Sequence, residues 1–177
     1  DWIFNMTAFP WRYKGRWVHG GFMMAHRSVW KEIQKHLDPN KEIIFTGHSL
    51  GAAMGTLFGY DIVTLFPEYD IKYFVSFGSP RVGNEYFVDN FHSYDITSYR
   101  ITHYYDIVPH VPEEFLGYLH ISNEIWYNEE NTEYKICDDT NGEEDDNCSN
   151  SCAPSHCTST KDHLNYLNVQ MGNDYCI

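Results

Sequence analysis

A serine between two glycines interrupts an apolar stretch of the sequence. The stretch IIFTGHSLGAAMGTLFGY, from Ile43 to Tyr60, contains the pattern G-x-S-x-G with Ser49 at its centre. A chain of this length contains that pattern by chance about one time in twenty. Here it follows an apolar strand and opens a predicted helix, which is the strand-turn-helix setting of a nucleophile elbow. Gly47 and Gly51 are expected to permit the sharp turn and the close approach of the helix to the strand.

A serine hydroxyl is a weak nucleophile near neutral pH, so a base must take its proton and an acid must orient that base. On a fold with a nucleophile elbow, the acid and then the histidine follow the serine along the chain. Asp106 ends the predicted strand SYRITHYYD, which places it at the same sheet edge as Ser49. Asp61, Asp89 and Asp95 fall on predicted helices or in loops. We predict that Asp106 is the acid; the alternative is a helix or turn cap.

His163 follows the acid, in KDHLNYL, at the entrance of an apolar segment, and we predict that it is the base. The alternative is that it caps the start of a helix. The backbone N–H of Leu50, at the positive end of the predicted helix, is the expected donor to an oxyanion. Six other histidines are worse placed. His110 is too near the acid along the chain, His120 lies within a predicted strand and His156 lies among the cysteines. His103 precedes the acid, and His48 and His19 are expected to pack beside the elbow and the VHGGF turn.

The spacing of apolar residues predicts a scaffold of alternating helices and strands. A helix is expected from Phe22 to Leu37, and a strand from Glu42 to Thr46 leads to the serine. The pattern further predicts a helix from the serine to residue 67, strands over 71–78 and 98–106, a helix over 83–91 and an edge strand over 121–127. This alternation is typical of an α/β fold with a mostly parallel sheet and helices on both faces.

Composition and charge exclude several classes of partner. The 177 residues are 42% hydrophobic and 17% aromatic, which suits one domain with a sizeable core. The formal net charge of −13 disfavours nucleic acid and anionic lipid headgroups, so any membrane contact must be made by apolar groups. No window approaches the roughly 18 uninterrupted apolar residues of a spanning helix, and no signal peptide is visible. We expect no stable membrane insertion and no obligate protein partner.

Cysteine usage indicates an oxidising compartment, so we expect a secreted or lumenal protein. Most of the cysteines crowd into a polar segment where disulfides would fix the chain, and the sequence leaves the pairing open. A zinc site that includes His156 is the alternative, but no C-x-x-C pair is present. The disulfide candidates are Cys137, Cys148, Cys152, Cys157 and Cys176.

Two further features of the sequence concern glycosylation and the acidic run between the cysteines. Sequons at Asn5 and Asn147 agree weakly with secretion and are the glycosylation candidates. The acidic run over 138–146 fails as a calcium-binding EF-hand, because Cys137 and Cys148 would occupy its first and last ligand positions. We therefore expect a solvated, cross-linked loop there and no metal site.

Seven stretches follow one another along the chain: VHGGF, IIFTGHSLGAA, VSFGSPRVGN, RITHYYDIVPHVP, HISNEIWY, CSNSC and DHLNYL. In this order they resemble the landmarks of the fungal-type class 3 lipases, which are α/β-hydrolases acting on triacylglycerols and related esters. The resemblance implies Ser49 as nucleophile, Asp106 as acid and His163 as base, with no cofactor. It also implies a single α/β-hydrolase domain over 1–177 whose amino-terminal strands are missing. Ala52 is a mild departure, since the family has glycine there.

The start of the chain, DWIFNMTAFP, resembles the family's mobile lid and the segment after it, so residues 1–17 are expected to have this role. Trp2, Ile3 and Phe4 would contact lipid, while Phe9 and Trp11 are equally well explained as core. In the family, an R-G-[ST] motif before the lid provides the second oxyanion donor, and no such motif stands here. The chain thus resembles the carboxyl-terminal two-thirds of a class 3 lipase.

Two functions from different classes follow from these observations. The first is a carboxylic ester hydrolase, a lipase that works through an acyl-enzyme on lipid esters at a lipid–water interface. Phospholipase-like and feruloyl-esterase-like relatives share the same triad, and a serine peptidase is compatible with the triad alone. The second is a truncated, weakly active or non-catalytic lipase-like domain, because losing one oxyanion donor costs about 100 to 1,000 fold in turnover.

Overall fold

The computed structural model describes residues 9–121, 123–139, 144–153 and 155–172. Its helices and strands follow in the order β1 (Pro10–Tyr13), β2 (Arg16–His19), α1 (Gly20–Gln34), β3 (Ile43–His48), α2 (Leu50–Leu65), β4 (Ile71–Phe77), α3 (Glu85–His92), β5 (Ser98–His103), β6 (Glu124–Tyr127), β7 (Tyr134–Ile136), α4 (Thr160–His163), β8 (Asn165–Tyr166) and β9 (Val169–Gln170). Short 3₁₀ helices cover Val108–His110, Glu114–Leu116 and Ser149–Cys152. No helix within these ranges has both the length and the apolar character needed to cross a bilayer.

Five strands form one mostly parallel sheet in the order β3, β4, β5, β6, β7. The first four run parallel, and β7 pairs antiparallel with β6. The predicted alternation of helices and strands is confirmed, although α1 ends at Gln34 rather than at Leu37. The strand predicted at the sheet edge lies inside it, because β7 pairs along its outer side. The sequence pattern does not reveal β7 or the hairpins β1–β2 and β8–β9, since such short strands carry little periodicity.

The three long helices pack on one face of the sheet. Phe45 and Phe74, on β3 and β4, join side chains from α1, α2 and α3 in a single apolar cluster. Burying each large apolar side chain of this kind contributes roughly 1.5–3 kcal/mol to folding. The helices supply Phe22, Met23, Ala53, Leu57, Tyr60, Phe87, Val88 and Phe91 to the cluster.

The opposite face of the sheet is covered by described residues only near the carboxyl ends of its strands, where Tyr166 packs against His48, Phe77 and His103. Towards the other end, this face leaves large side chains partly in solvent: Ile44, Tyr73, Tyr99 and Ile136 are 61%, 41%, 40% and 70% exposed. The alternation of helices and strands along the sequence predicts helices on both faces. In the described part of the chain, the long helices cover one face.

The acidic run over 138–146 makes buried contacts with arginine side chains. Glu144 accepts two hydrogen bonds of 2.7 and 2.8 Å from the buried guanidinium of Arg81. Asp139 lies 3.7 Å from Arg100, which also pairs with the buried carboxylate of Glu124. Buried guanidinium groups need counter-charges, and these partners are far from each other in sequence. The prediction of a solvated loop is therefore wrong for Asp139 and Glu144.

Candidate active site

Ser49 occupies a strained turn between β3 and α2. Its φ and ψ angles are 57° and −124°, a backbone conformation that residues with a side chain rarely adopt. The backbone N–H of Ser49 donates to the carbonyl oxygen of Phe77, on the neighbouring strand, at 3.0 Å. The sheet thereby holds the serine in the strained geometry that is typical of a nucleophile elbow.

The two glycines of the motif differ in what they do. A Cβ on Gly47 would lie 2.6 Å from the carbonyl carbon of Gly51 and 2.7 Å from the backbone nitrogen of Ala52. Only glycine at this position lets α2 lie so close to β3. At Gly51 no atom of the described residues lies within 4 Å of such a Cβ. The close approach of α2 to β3 is therefore confirmed, and it requires a glycine at Gly47 but not at Gly51.

Asp106 lies in the turn after β5 rather than at the end of the strand. The strand ends at His103, and the backbone N–H of Asp106 donates to the His103 carbonyl oxygen at 2.9 Å. The carboxylate is buried, and its Oδ1 accepts from the backbone N–H of Val108 at 2.8 Å. One oxygen thus has the capping role held as the alternative. The other, Oδ2, faces His163.

His163 is the last residue of α4, and its ring lies between the other two side chains. Nδ1 is 2.9 Å from Asp106 Oδ2, and Nε2 is 2.8 Å from Ser49 Oγ. All three residues are at most 3% exposed. The side chain of Ser159 caps the start of α4, so His163 does not have the capping role held as its alternative. With a proton on Nδ1 donated to the carboxylate, Nε2 is free to accept the proton of the serine hydroxyl.

Three residues around this line of side chains, Tyr166, His48 and His103, were not predicted as site residues. The hydroxyl of Tyr166 donates to Asp106 Oδ2 at 2.5 Å, and burial together with the charge of Asp106 raises the pKa of Tyr166 well above its usual value. His48 packs beside the elbow as predicted, but its Nε2 also lies 2.7 Å from the backbone oxygen of His163. Nδ1 of His103 lies 3.0 Å from the backbone oxygen of Asp162, the residue before His163. Nothing local in the sequence marks Tyr166 or His103, since their partners are distant along the chain.

The remaining predicted contact residues divide between the described ranges and the rest of the chain. Leu50 is the first residue of α2, and a helix leaves its first N–H groups without partners inside the helix. Trp11 packs against the core cluster. Phe9 is 38% exposed, and the centroid of its ring lies 6.5 Å from that of the Trp11 ring. Asn147 is exposed, as a sequon requires. Outside the described residues lie Trp2, Ile3, Phe4, Asn5 and Cys176.

Two disulfides join the cysteines, Cys137 to Cys148 and Cys152 to Cys157. The side-chain clusters compact enough to hold a metal, among described residues, each consist of one of these disulfides with either Asp145 or His110. Zinc takes thiolates as ligands, and a sulfur bonded to another sulfur is not a thiolate. The zinc alternative that included His156 therefore loses its cysteine ligands.

Comparison with known proteins places the chain in a family. The family model described as Lipase (class 3) matches residues 1–116. A lipase from Rhizopus niveus is 37% identical over 180 residues, which cover 97% of this chain. The chain belongs to the class 3 lipase family. It spans 45% of the length of that relative.

Solved lipase structures share the fold of this chain. Lipase II from Rhizopus niveus has a TM-score of 0.85 and 35% identity, covering 96% of this chain and 67% of that one. A triacylglycerol lipase whose catalytic centre is described as a serine protease triad has a TM-score of 0.81 and 32% identity, with coverages of 96% and 67%. A secreted mono- and diacylglycerol lipase from Fusarium solani is 37% identical over 116 residues, 62% of this chain and 34% of that protein. The predicted family and the α/β fold are confirmed.

Proposed function

We propose that this chain hydrolyses carboxylic esters of lipids through Ser49, His163 and Asp106. The observation that carries the proposal is the continuous line of hydrogen bonds from Ser49 Oγ through the imidazole to Asp106 Oδ2, with distances of 2.8 and 2.9 Å. The serine protease triad attributed to a triacylglycerol lipase with 32% identity supports the same roles here.

In the proposed reaction, Ser49 Oγ attacks the ester carbonyl carbon while His163 Nε2 takes the hydroxyl proton. The charge that develops on the carbonyl oxygen faces the N–H of Leu50 at the start of α2. His163 then donates its proton to the leaving alcohol, whose C–O bond breaks, and an acyl-enzyme remains. A water molecule then gives a proton to the same nitrogen and attacks the acyl carbon. The bond from that carbon to Ser49 Oγ breaks, His163 returns the proton to Oγ, and the carboxylic acid leaves. Asp106 stabilises the imidazolium in both halves, and the scheme uses no cofactor.

Lipid esters are the proposed substrate class because the surface beside the base is apolar. Leu164, Leu167 and Val169 follow His163 and are 42%, 43% and 57% exposed. A net charge of −13 makes apolar contact, rather than charge attraction, the means of approaching a lipid surface. The names of the triacylglycerol and the mono- and diacylglycerol lipases agree with this class. We propose a secreted or lumenal location, with which two disulfides and an exposed Asn147 agree.

A weakly active domain of the same chemistry is the second candidate, favoured by the absence of an R-G-[ST] motif from this sequence. One oxyanion donor fewer lowers turnover by about 100 to 1,000 fold without changing which residues react. This candidate therefore predicts slow hydrolysis that still depends on Ser49. A non-catalytic domain predicts none.

The test is hydrolysis of p-nitrophenyl esters with acyl chains from two to sixteen carbons, together with a phospholipid and a feruloyl ester. The proposal predicts hydrolysis of the p-nitrophenyl lipid esters, with kcat/KM reduced at least about 10⁴-fold in Ser49→Ala. His156→Ala is the matched control, because that histidine is exposed and outside the triad. Equal rates in the wild type and in Ser49→Ala would contradict the proposal. A preference for the phospholipid would indicate a phospholipase-like enzyme, and a preference for the feruloyl ester would indicate a feruloyl-esterase-like enzyme.

A further inference from the structure

The helix that bears His163 is too short to fix the base by itself. α4 has four residues, and His163 is its last. Its start is fixed by the side chain of Ser159, which accepts from the backbone N–H of Asp162 at 3.0 Å. The last carbonyl groups of a helix have no partners inside the helix, so they are the points at which other parts of the fold can hold it.

His103, the last residue of β5, contacts the carbonyl group of Asp162, the last but one in the helix. Its Nδ1 lies 3.0 Å from the backbone oxygen of Asp162, and its Nε2 lies 2.9 Å from Nδ2 of Asn131. The amide of Asn131 is oriented by its Oδ1, which accepts from the backbone N–H of Leu167 at 2.9 Å. Asn131 therefore presents N–H groups to Nε2, which must be the unprotonated nitrogen of the ring.

When the His103 ring carries one proton, that proton therefore sits on Nδ1 and is donated to the backbone oxygen of Asp162. The carbonyl oxygen of Glu129, 3.1 Å from Nε2, would favour a proton there, but that proton would face the Asn131 amide donor. A donor facing a donor is unfavourable in a buried site. His103 is 2% exposed.

His48, the last residue of β3, contacts the next carbonyl group along the chain. Its Nε2 lies 2.7 Å from the backbone oxygen of His163, which can only accept, so the proton of His48 is on Nε2. Burial, and then the charge of His163, lowers the pKa of His48 and keeps its ring neutral. The two rings lie 4.4 Å apart between centroids. A neutral ring at this place holds the base without adding a second positive charge beside the imidazolium.

Tyr166 joins the two contacts into one unit. Its ring packs edge-on against His48, Phe77 and His103, with centroids 5.7, 5.9 and 5.8 Å away. Its hydroxyl binds Asp106. The carboxyl ends of three neighbouring strands are therefore linked to the base and the acid through the buried ring and hydroxyl of Tyr166.

We propose that His103 and His48 are positioning residues for the base: His103 donates one hydrogen bond to the backbone oxygen of Asp162, and His48 donates one to that of His163. This inference rests on the proposed function, because it assigns the base to His163. The two bonds fix the helix end that sets the distance from Nε2 to the serine. A shift of about 1 Å at a reacting group costs on the order of 100-fold in rate.

The first test compares paired variants of each histidine on a soluble short-chain ester. His103→Asn keeps an N–H near the place of Nδ1, and His48→Gln keeps one near the place of Nε2, whereas His103→Leu and His48→Leu keep neither. We expect each leucine variant to lose about 10 to 100 fold in kcat with KM within about twofold, and each amide variant to recover most of the loss. A folded leucine variant with unchanged kcat, or amide variants as slow as the leucine variants, would overturn the proposal.

The second test does not depend on activity. Long-range ¹H–¹⁵N correlation spectra of the wild-type chain, assigned with the single variants, report which ring nitrogen carries the proton. We expect a protonated Nδ1 on His103 and a protonated Nε2 on His48. An unprotonated Nδ1 on His103 or Nε2 on His48 would overturn the proposal. If a leucine variant fails to fold, the amide variants and the spectra decide; if the wild type hydrolyses nothing, the proposed function fails while the spectra still decide the two hydrogen bonds.

Discussion

Replacing Gly78 by alanine is expected to damage the site and the fold together. Gly78 follows β4 with a φ of +53°, and a Cβ there would lie 2.8 Å from Asp106 Oδ2, 2.8 Å from the Tyr166 hydroxyl and 3.0 Å from His163 Nδ1. The glycine thus supplies the space in which the acid and the base meet. All three are side-chain atoms, but they are buried and hydrogen-bonded to one another, so none can move away without breaking a contact of the site.

The magnitude follows from two separate costs. A left-handed backbone costs an alanine about 1–2 kcal/mol, and forcing a methyl group into a packed site costs typically about 1–3 kcal/mol more. Ordinary contact begins at 3.4 Å, so the two oxygens must each retreat by 0.6 Å, the difference between 3.4 and 2.8 Å. Such a movement breaks the alignment of acid and base, and we expect kcat/KM to fall about 10 to 100 fold.

Urea denaturation and initial rates on a soluble ester measure both effects. Gly117→Ala is the matched control, because Gly117 has a φ of +82° and no described atom within 4 Å of an added Cβ. The control is expected to lose only about 1–2 kcal/mol of unfolding free energy and no activity. If Gly78→Ala matches the control in both measurements, the packing of the site around Gly78 is not as described, and the reasoning is refuted.

Three further outcomes are expected. Asp106→Asn should keep the fold but lower kcat by about 10⁴-fold, because the base loses its oriented tautomer; unchanged kcat in a rate assay would contradict this. Replacing both cysteines of the Cys152–Cys157 disulfide, which are five residues apart, should lower the unfolding free energy measured in urea by about 2 kcal/mol. For the Cys137–Cys148 disulfide, whose cysteines are eleven residues apart, the expected loss is about 3 kcal/mol. The reverse ranking would contradict the loop-entropy argument. Burial lowers the pKa of His19 from 6.5 to about 4, so the unfolded chain takes up a proton that the folded chain refuses, and about 3 kcal/mol of stability should be lost as the pH falls from 6.5 to 4. His19→Asn, which keeps an acceptor at the start of α1, should remove that loss from a series of urea titrations across pH, and an unchanged pH dependence would show that another group is responsible.

The sequence alone predicts the parts of the site that local pattern specifies. A strand, a glycine-flanked serine and a helix are contiguous, so the position of Ser49 can be read directly, and the order of acid and histidine then narrows the choice of Asp106 and His163. The structure brings these three side chains together.

What the sequence does not predict depends on contacts between distant segments. Tyr166 and His103 contribute through partners brought together only by the fold, and nothing in their neighbourhood marks them. Glu144 looks like part of a solvated acidic run until Arg81 is placed beside it. Likewise, β6 resembles an edge strand because the three residues of β7 carry too little periodicity to be recognised as its neighbour.

The same limit applies to Gly51, whose place in the motif suggests a steric role that the surrounding space does not require. The backbone at Gly47 has that role instead. A motif therefore identifies the turn correctly while leaving the task of each of its residues to be settled by packing.

Covalent labelling measures whether Ser49 is an activated nucleophile. A long-chain alkyl phosphonate with a nitrophenyl leaving group is attacked at phosphorus by an activated serine, and intact mass measures the adduct. One adduct per chain is expected in the wild type, mapped to Ser49 by peptide analysis, and none in Ser49→Ala. A folded wild-type chain that takes up no phosphonate, or that is labelled equally in the variant, would contradict the claim that Ser49, His163 and Asp106 form a working catalytic site.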